Sequence, residues 1–158
     1  MDMKKPRIFL AADHAGFKLK EHVKKFLIGL GYDVDDKGAL KYDPEDDYPD
    51  FILKAAEKVY ENKGSLGIIF GGSGQGEAIV ANKVQGIRAA VYNSNNPEIA
   101  RLSREHNDAN ILSIGARFVK NEDALNAVKL WLSSGFSTEP RHSRRIKKIS
   151  EIEKSLFK

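Results

Sequence analysis

The 158-residue chain contains no cysteine. This absence excludes disulfide bridges, thiolate nucleophiles and cysteine-ligated metal sites, and it is typical of cytoplasmic proteins. The chain also lacks an apolar run long enough to span a membrane, and its N-terminus lacks the pattern of a signal peptide. We therefore expect a cytoplasmic protein with no membrane partner.

Acidic residues are scarce in the C-terminal tail. Residues 141–158 hold seven Lys or Arg and two Glu, a net charge of +5 in a chain of net charge +4, so the rest carries −1. Such a tail can contact nucleic acid, bind a phosphorylated small molecule or form a solvated helix face. Phe157 is its only aromatic residue, which argues against stacking on bases. A nucleic-acid-binding module is therefore the weaker alternative to an enzyme.

Apolar strand-like runs alternate with amphipathic segments along the chain. The predicted strands cover residues 7–12, 32–36, 66–70, 87–92 and 111–114, and the predicted helices cover 17–30, 50–62, 75–84, 95–106 and 121–133. This alternation predicts one doubly wound, Rossmann-like α/β domain over residues 1–158, with helices on both faces of a five-stranded parallel sheet.

A basic helix is predicted over about 139–157, after the last strand. Its apolar stripe consists of Ile146, Ile149, Ile152 and Leu156. Because the helix follows the final sheet element, we expect it to pack either on its own domain or on a partner subunit.

A glycine-rich loop, Gly71-Gly72-Ser73-Gly74-Gln75-Gly76-Glu77, follows the third predicted strand and leads into a helix. This arrangement aims backbone N–H groups at an anion. The loop does not end in Gly-Lys-Ser/Thr and does not fit Gly-x-Gly-x-x-Gly, which argues against nucleotide binding. We interpret it as an oxyanion site in which the amides of Gly72–Gly76 and the Ser73 hydroxyl hold a developing negative charge. Glu77 is suited to act as the base.

Polar residues also follow other predicted strands, where ligands bind in doubly wound folds. They are Asp13 and His14 after the first strand, Asn93 and Ser94 after the fourth, and Arg117 after the fifth. We expect them to converge with the glycine loop on one edge of the sheet. The acidic segment 41–50, with two prolines, is expected to form a loop beside that edge.

Groups of residues in a fixed order carry a resemblance to a known family. They are Ala12–Gly16, Asp47–Pro49, Gly71–Glu77 with Ala81–Lys83, Gly86–Ala89, and Arg104–Asn107 with Gly115–Arg117. The chain resembles type B ribose-5-phosphate isomerases from Ile8 to about Ile152. The wider family includes allose-6-phosphate and galactose-6-phosphate isomerases. Many members have a cysteine where this chain has Gly71, and the chain resembles the subgroup in which a glutamate, here Glu77, takes over as base.

The resemblance implies an aldose–ketose isomerase that needs no cofactor or metal and interconverts ribose 5-phosphate and ribulose 5-phosphate. The reaction passes through a cis-enediolate, with Glu77 as base and with Ser73 and the amides at Gly72, Gly74 and Gly76 stabilising its oxygen. The four histidines show no metal-ligand spacing. The alternative is an isomerase of allose 6-phosphate or galactose 6-phosphate, because pocket length cannot be read from the sequence.

The resemblance also implies roles for residues outside the loop. His106 assists opening of the sugar ring, and Asp13 and Asn107 contact sugar hydroxyls. The phosphate is expected on His14, Arg117, Arg141, His142 and Arg145, away from the glycine loop. The segment 141–145 is expected to complete the neighbouring subunit's site in a homodimer, or in a tetramer built from such dimers. Lys147, Lys148, Lys154 and Lys158 are expected on a solvated helix face, and His22 on the surface without a role.

Overall fold

The computed structural model describes residues 3–157, so Lys158 of the basic tail lies outside the described residues. The strands are β1 (Ile8–Ala12), β2 (Val34–Asp36), β3 (Leu66–Gly71), β4 (Ala89–Tyr92) and β5 (Ile111–Gly115). The helices are α1 (Phe17–Gly29), α2 (Pro49–Glu61), α3 (Gln75–Ala81), α4 (Glu98–Asn107), α5 (Asn121–Ser133) and α6 (Pro140–Leu156). The predicted doubly wound α/β fold and its basic C-terminal helix are confirmed.

The connection between α3 and β4 differs from its prediction. The helix ends at Ala81 rather than at residue 84, and β4 begins at Ala89 rather than at residue 87. The cause is Asn82, whose amide Nδ2 donates to the Ala89 carbonyl (3.0 Å) and whose Oδ1 accepts from the Ala89 N–H (2.8 Å). These two bonds close a turn over residues that have helical and strand-like composition.

All five described strands run parallel in the order β2-β1-β3-β5-β4. The chain passes from β1 outward to β2 and then crosses to β3 on the other side of β1. The strand order therefore reverses between β1 and β3, and ligands bind in the crevice that such a reversal opens at the carboxyl ends of the strands. Ala12 pairs with Phe70 there, so Asp13 and the glycine loop emerge side by side.

Both faces of the sheet are covered, which is why β1 is buried along its whole length. One face packs on α1, α4 and α5, where Trp131 is fully buried and its Nε1 donates to Ser103 Oγ (3.1 Å). The other face packs mainly on α2, through Ile52, Ala55, Ala56 and Val59. The sheet thus holds its C-terminal edge rigid between two apolar layers.

Helix α1 begins in very close contact with β3. A methyl carbon added at Gly16 would lie 2.5 Å from the carbonyl carbon of Phe70, so only glycine fits between them. This contact fixes the segment that carries Asp13 and His14 against the end of the glycine loop's own strand.

Helix α6 leaves most of its apolar stripe uncovered by its own domain. The exposed fractions are 48% for Ile149, 58% for Ile152 and 74% for Leu156, and His142 is the only buried residue of the helix. Ile149, Ile152 and Leu156 line a cleft of about 440 Å³ between α6 and the start of β4. Within residues 3–157, none of the helices combines the length and apolar character needed to cross a bilayer.

Candidate active site

Glu77 lies in the first turn of α3 and is only 4% exposed. Its carboxylate occupies the space directly above the Cα atom of Gly71, and a methyl carbon added at Gly71 would overlap that carboxylate. The Glu77 carboxylate can therefore occupy this position only because residue 71, at the end of β3, is a glycine. Burial, and secondarily the nearby charge of Asp13, raise the pKa of Glu77 above its ordinary value.

The glycine loop presents free backbone donors beside this carboxylate. The N–H groups of Gly72 and Ser73 donate to no backbone or side-chain acceptor within residues 3–157, whereas the Gly74 N–H faces the Glu77 carboxylate and favours its charged form. The loop is nevertheless held in place, because Asn93 Nδ2 donates to the Ser73 carbonyl (3.2 Å) and Ser113 Oγ donates to the Gly74 carbonyl (2.6 Å). Fixed and unoccupied amides of this kind can stabilise an oxyanion without reorganising.

Asp13 lies at the same edge of the sheet, 6% exposed. Its Oδ1 accepts hydrogen bonds from the N–H groups of Ala15 (3.0 Å) and Gly16 (3.3 Å) and so caps the entry to α1. This leaves the second carboxylate oxygen available to a hydroxyl of a ligand.

His14 is paired with Asp46, a residue that the sequence did not single out. Asp46 Oδ1 accepts from the His14 backbone N–H (2.9 Å) and lies 2.7 Å from its ring Nδ1. The hydrogen bond to Asp46 raises the pKa of His14 above its ordinary value, against the opposing effect of burial. The acidic loop was predicted at this edge, but the sequence could not indicate which of its four aspartates would reach the histidine.

Asp13, His14 and Asp46 also have the composition of a metal site, since one ligand atom from each lies within 4.8 Å of the others. The spacing of the histidines gave no sign of this group, because its carboxylates come from two separate loops. One oxygen of each carboxylate is already engaged: Asp13 Oδ1 caps α1, and Asp46 Oδ1 binds both the backbone N–H and the ring of His14. We therefore interpret the group as an ion pair beside a helix cap.

The Arg117 side chain packs against the glycine loop at Gly72. The resemblance had implied that the phosphate-binding cations lie away from this loop. The Arg117 guanidinium Nη1 is 3.1 Å from the point that a methyl carbon on Gly72 would occupy. The Arg117 N–H donates to the Gly72 carbonyl (3.0 Å), which fixes the residue there. A cation therefore stands next to the free amides.

His106 and Asn107 lie at the opposite edge of the sheet from Glu77. They end α4, and β5 begins only four residues later at Ile111, so they are near the amino ends of the strands. A five-residue strand spans roughly 15 Å, which separates them from Glu77 within one chain. His142 is at this edge too, with its ring centroid 4.2 Å from that of His106.

The start of α6 brings the remaining predicted phosphate ligands to this second edge. Arg141 and Arg145 flank His142 and are exposed, and Arg141 Nε pairs with Glu139 (2.8 Å). Burial, and then the charges of His106 and Arg141, lower the pKa of His142 below its ordinary value. The predicted site residues thus form two groups: Asp13, His14, Ser73, Glu77 and Arg117 at one edge, and His106, Asn107, Arg141, His142 and Arg145 at the other.

One surface connects the two groups, and we call it the β4 face. At one end, Gln75 lines a cleft together with Asn82 and Ala89, and the exposed Ile79 stands beside it. Asn82 and Ala89 also line the α6 cleft, which reaches Asn107 at the other end. β4 pairs only with β5, so its outer edge is open among the described strands.

Comparisons with known proteins give a consistent result. The family model described as Ribose/Galactose Isomerase matches residues 8–149. The chain is 44% identical to ribose-5-phosphate isomerase B of Mycobacterium tuberculosis over 149 residues, which covers 94% of this chain and 91% of that protein.

Two solved structures have the same architecture. Ribose-5-phosphate isomerase B of Clostridium thermocellum superposes with a TM-score of 0.89 at 47% identity, over 95% of this chain and 99% of that one. The Mycoplasma genitalium enzyme, solved with bound ribulose 5-phosphate, superposes with a TM-score of 0.90 at 38% identity, over 96% of this chain and 99% of that one.

Proposed function

The chain belongs to the ribose/galactose isomerase family and is an aldose–ketose isomerase, and we propose that it interconverts ribose 5-phosphate and ribulose 5-phosphate with Glu77 as the base. The observation that carries the assignment of the base is the buried Glu77 carboxylate above Gly71, next to free amides of the glycine loop. The names of the relatives, and the ribulose 5-phosphate bound to one of them, support the substrate.

The proposed reaction begins from the open-chain aldose. The Glu77 carboxylate removes the proton from C2, the electron pair forms a C1–C2 double bond, and the carbonyl oxygen on C1 takes up the negative charge. The protonated Glu77 then returns the proton to C1, while the hydroxyl proton on O2 passes to O1 and leaves a ketone at C2. The product is the ketose, with atoms and charge conserved.

The glycine loop stabilises the charge that develops in this cis-enediolate. The N–H groups of Gly72 and Ser73 are preorganised donors, and the Ser73 hydroxyl accepts from the Gln75 N–H (3.2 Å), which leaves its own proton free to donate. Losing a single donor of this type typically costs on the order of 10²-fold in rate. The raised pKa of Glu77 makes its conjugate acid a better match to proton transfer near neutral pH.

Ring opening and much of the phosphate binding require the second group of residues, which we propose a partner subunit supplies. The β4 face has the glycine loop at one end and Asn107 at the other. In a two-fold interface the same patch meets itself with its ends exchanged, which places the partner's Asn107 end beside the glycine loop. The exposed stripe of α6 would then pack on the partner, and residues 1–158 would act as one domain of a homodimer.

Complementation between inactive subunits tests this shared site. A Glu77→Gln subunit lacks the base but keeps its second-edge residues, and an Arg141→Ala subunit has the reverse defect. Each mixed dimer is expected to have about half the activity of a parent dimer, because one of its two sites combines only intact residues. Demonstrated heterodimers with no recovered ribose 5-phosphate isomerase activity would contradict the exchange of residues between subunits.

The proposed function itself is tested by a coupled assay on ribose 5-phosphate, with and without a metal chelator. We expect ribulose 5-phosphate formation, with a rate unchanged by the chelator, because Glu77 and the loop amides supply the acid–base and electrostatic steps. A rate abolished by the chelator and restored by a divalent cation would instead assign a metal to Asp13, His14 and Asp46. Activity confined to allose 6-phosphate or galactose 6-phosphate would replace the substrate.

A further inference from the structure

We propose that Asp46 is the positioning residue for His14, fixing its ring as the charged donor that meets the phosphate of the substrate. The proposal rests on the proposed function, in which His14 binds that phosphate. It assigns a task to the acidic loop between β2 and α2, which the reaction mechanism above does not use.

The first argument is the geometry of the contact. A single oxygen, Asp46 Oδ1, holds both the backbone N–H and the ring Nδ1 of His14, at 2.9 and 2.7 Å. Two bonds to one oxygen fix the rotation of the side chain relative to its backbone. They also assign Nδ1 to Asp46, so Nε2 is the only ring nitrogen left for a ligand.

The second argument is the burial of Asp46 in a loop whose other acidic side chains are exposed. Its side chain is 7% exposed, and its Oδ2 has no hydrogen-bond partner within residues 3–157. A buried carboxylate is costly unless a charged partner compensates it. His14 is the only partner that this carboxylate has within the described residues, so protonation of the ring compensates the buried charge.

The groups that face the ring favour the same state. Asp46 and Asp13 both place negative charge near His14, and the ring of Tyr42 meets it edge-on, with centroids 6.5 Å apart. His14 is 29% exposed, so its free nitrogen can be reached by a ligand. With its pKa raised, the ring stays protonated to a higher pH than an ordinary histidine and then gives a charge-assisted bond to a phosphate.

Two substitutions separate orientation from charge. Asp46→Ala removes both bonds, whereas Asp46→Asn keeps an acceptor oxygen at the same place and removes only the charge. The matched control is Glu45→Gln, which deletes a neighbouring, exposed negative charge with no side-chain hydrogen bond in the described structure. Steady-state kinetics on ribose 5-phosphate are measured across pH for all three. The histidine signals of each free protein are titrated by NMR with and without inorganic phosphate.

We expect Asp46→Ala to raise KM by roughly tenfold or more, with kcat changed by less than about threefold, because binding and not proton transfer is affected. Asp46→Asn should raise KM mainly at higher pH and lower the pKa of His14 in the NMR titration. Glu45→Gln should match the parent protein in both readouts.

Unchanged KM and an unchanged His14 titration in Asp46→Asn and Asp46→Ala would overturn the proposal, as would a selective loss of kcat. The NMR titration needs no turnover, so it judges the Asp46–His14 pair even if the parent protein fails to isomerise ribose 5-phosphate. A parent protein without that activity, but with the expected titration, would refute the proposed function and leave the pair intact.

Discussion

The Glu77→Gln variant is expected to lose about a thousandfold in kcat while still binding ribose 5-phosphate, because an amide cannot accept and return the proton. The side chain keeps its size, so the crevice above Gly71 remains filled and the loop amides stay in place. Turnover in the coupled assay gives kcat, and calorimetric titration with ribose 5-phosphate gives the affinity. Near-normal turnover would remove Glu77 from its assigned role.

Loss of activity in this variant should not reflect unfolding. The pKa of Glu77 is raised in the folded protein. A group of this kind favours folding below its unfolded-state pKa, and the contribution is lost as pH rises through the folded-state pKa. Ionisation of the buried Glu77 therefore costs stability as pH rises, and Glu77→Gln should melt no lower than the parent protein. Glu122→Gln, the same change in the first turn of α5 at an exposed position, is the matched control and should leave kcat unaltered.

The Gly71→Ala variant is expected to lose at least about a hundredfold in kcat, although position 71 itself donates no reacting atom. The added methyl group would overlap the Glu77 carboxylate and push it from its place. Gly135→Ala is the control, since nothing lies within 4 Å of a methyl carbon added there. Kinetics and a crystal structure of the variant would show whether the carboxylate has moved.

A double-mutant cycle makes the steric cause testable. Shortening the acid in Gly71→Ala/Glu77→Asp removes one methylene and gives the carboxylate room beside the new methyl group. We expect the double variant to exceed the activity predicted from the two single variants, because the positions interact directly. Effects that simply add, or an undisplaced Glu77 in an active Gly71→Ala protein, would show that Gly71 does not shape the site.

The apolar pattern was enough to predict the central strands β1, β3 and β5, because both faces of the sheet bury them and their residues are correspondingly apolar. The glycine loop and its acid could also be located, since the loop follows a strand directly. Asp46 could not, because 32 residues separate it from His14 and three similar aspartates share its loop. The overlap between Gly71 and Glu77 depends on side-chain placement across a turn, which no spacing rule describes.

The separation of His106 from Glu77 illustrates a different limit. The sequence places His106 at the end of a helix, and a helix between parallel strands ends at the amino edge of the sheet. That rule predicts the distance from the glycine loop. The resemblance implied that residues 141–145 complete a neighbouring subunit's site, but it did not group His106 with that segment. The structure makes the division visible by placing His106 against His142.

The open β4 face has a consequence for how the protein behaves on dilution. If each site draws its base from one chain and its ring-opening histidine from another, a monomer holds two halves that cannot act together. Turnover per chain then depends on total protein concentration relative to the dimer dissociation constant, and substrate that bridges both chains raises the population of dimers by mass action. Subunit association would thus set how much enzyme is active at any moment.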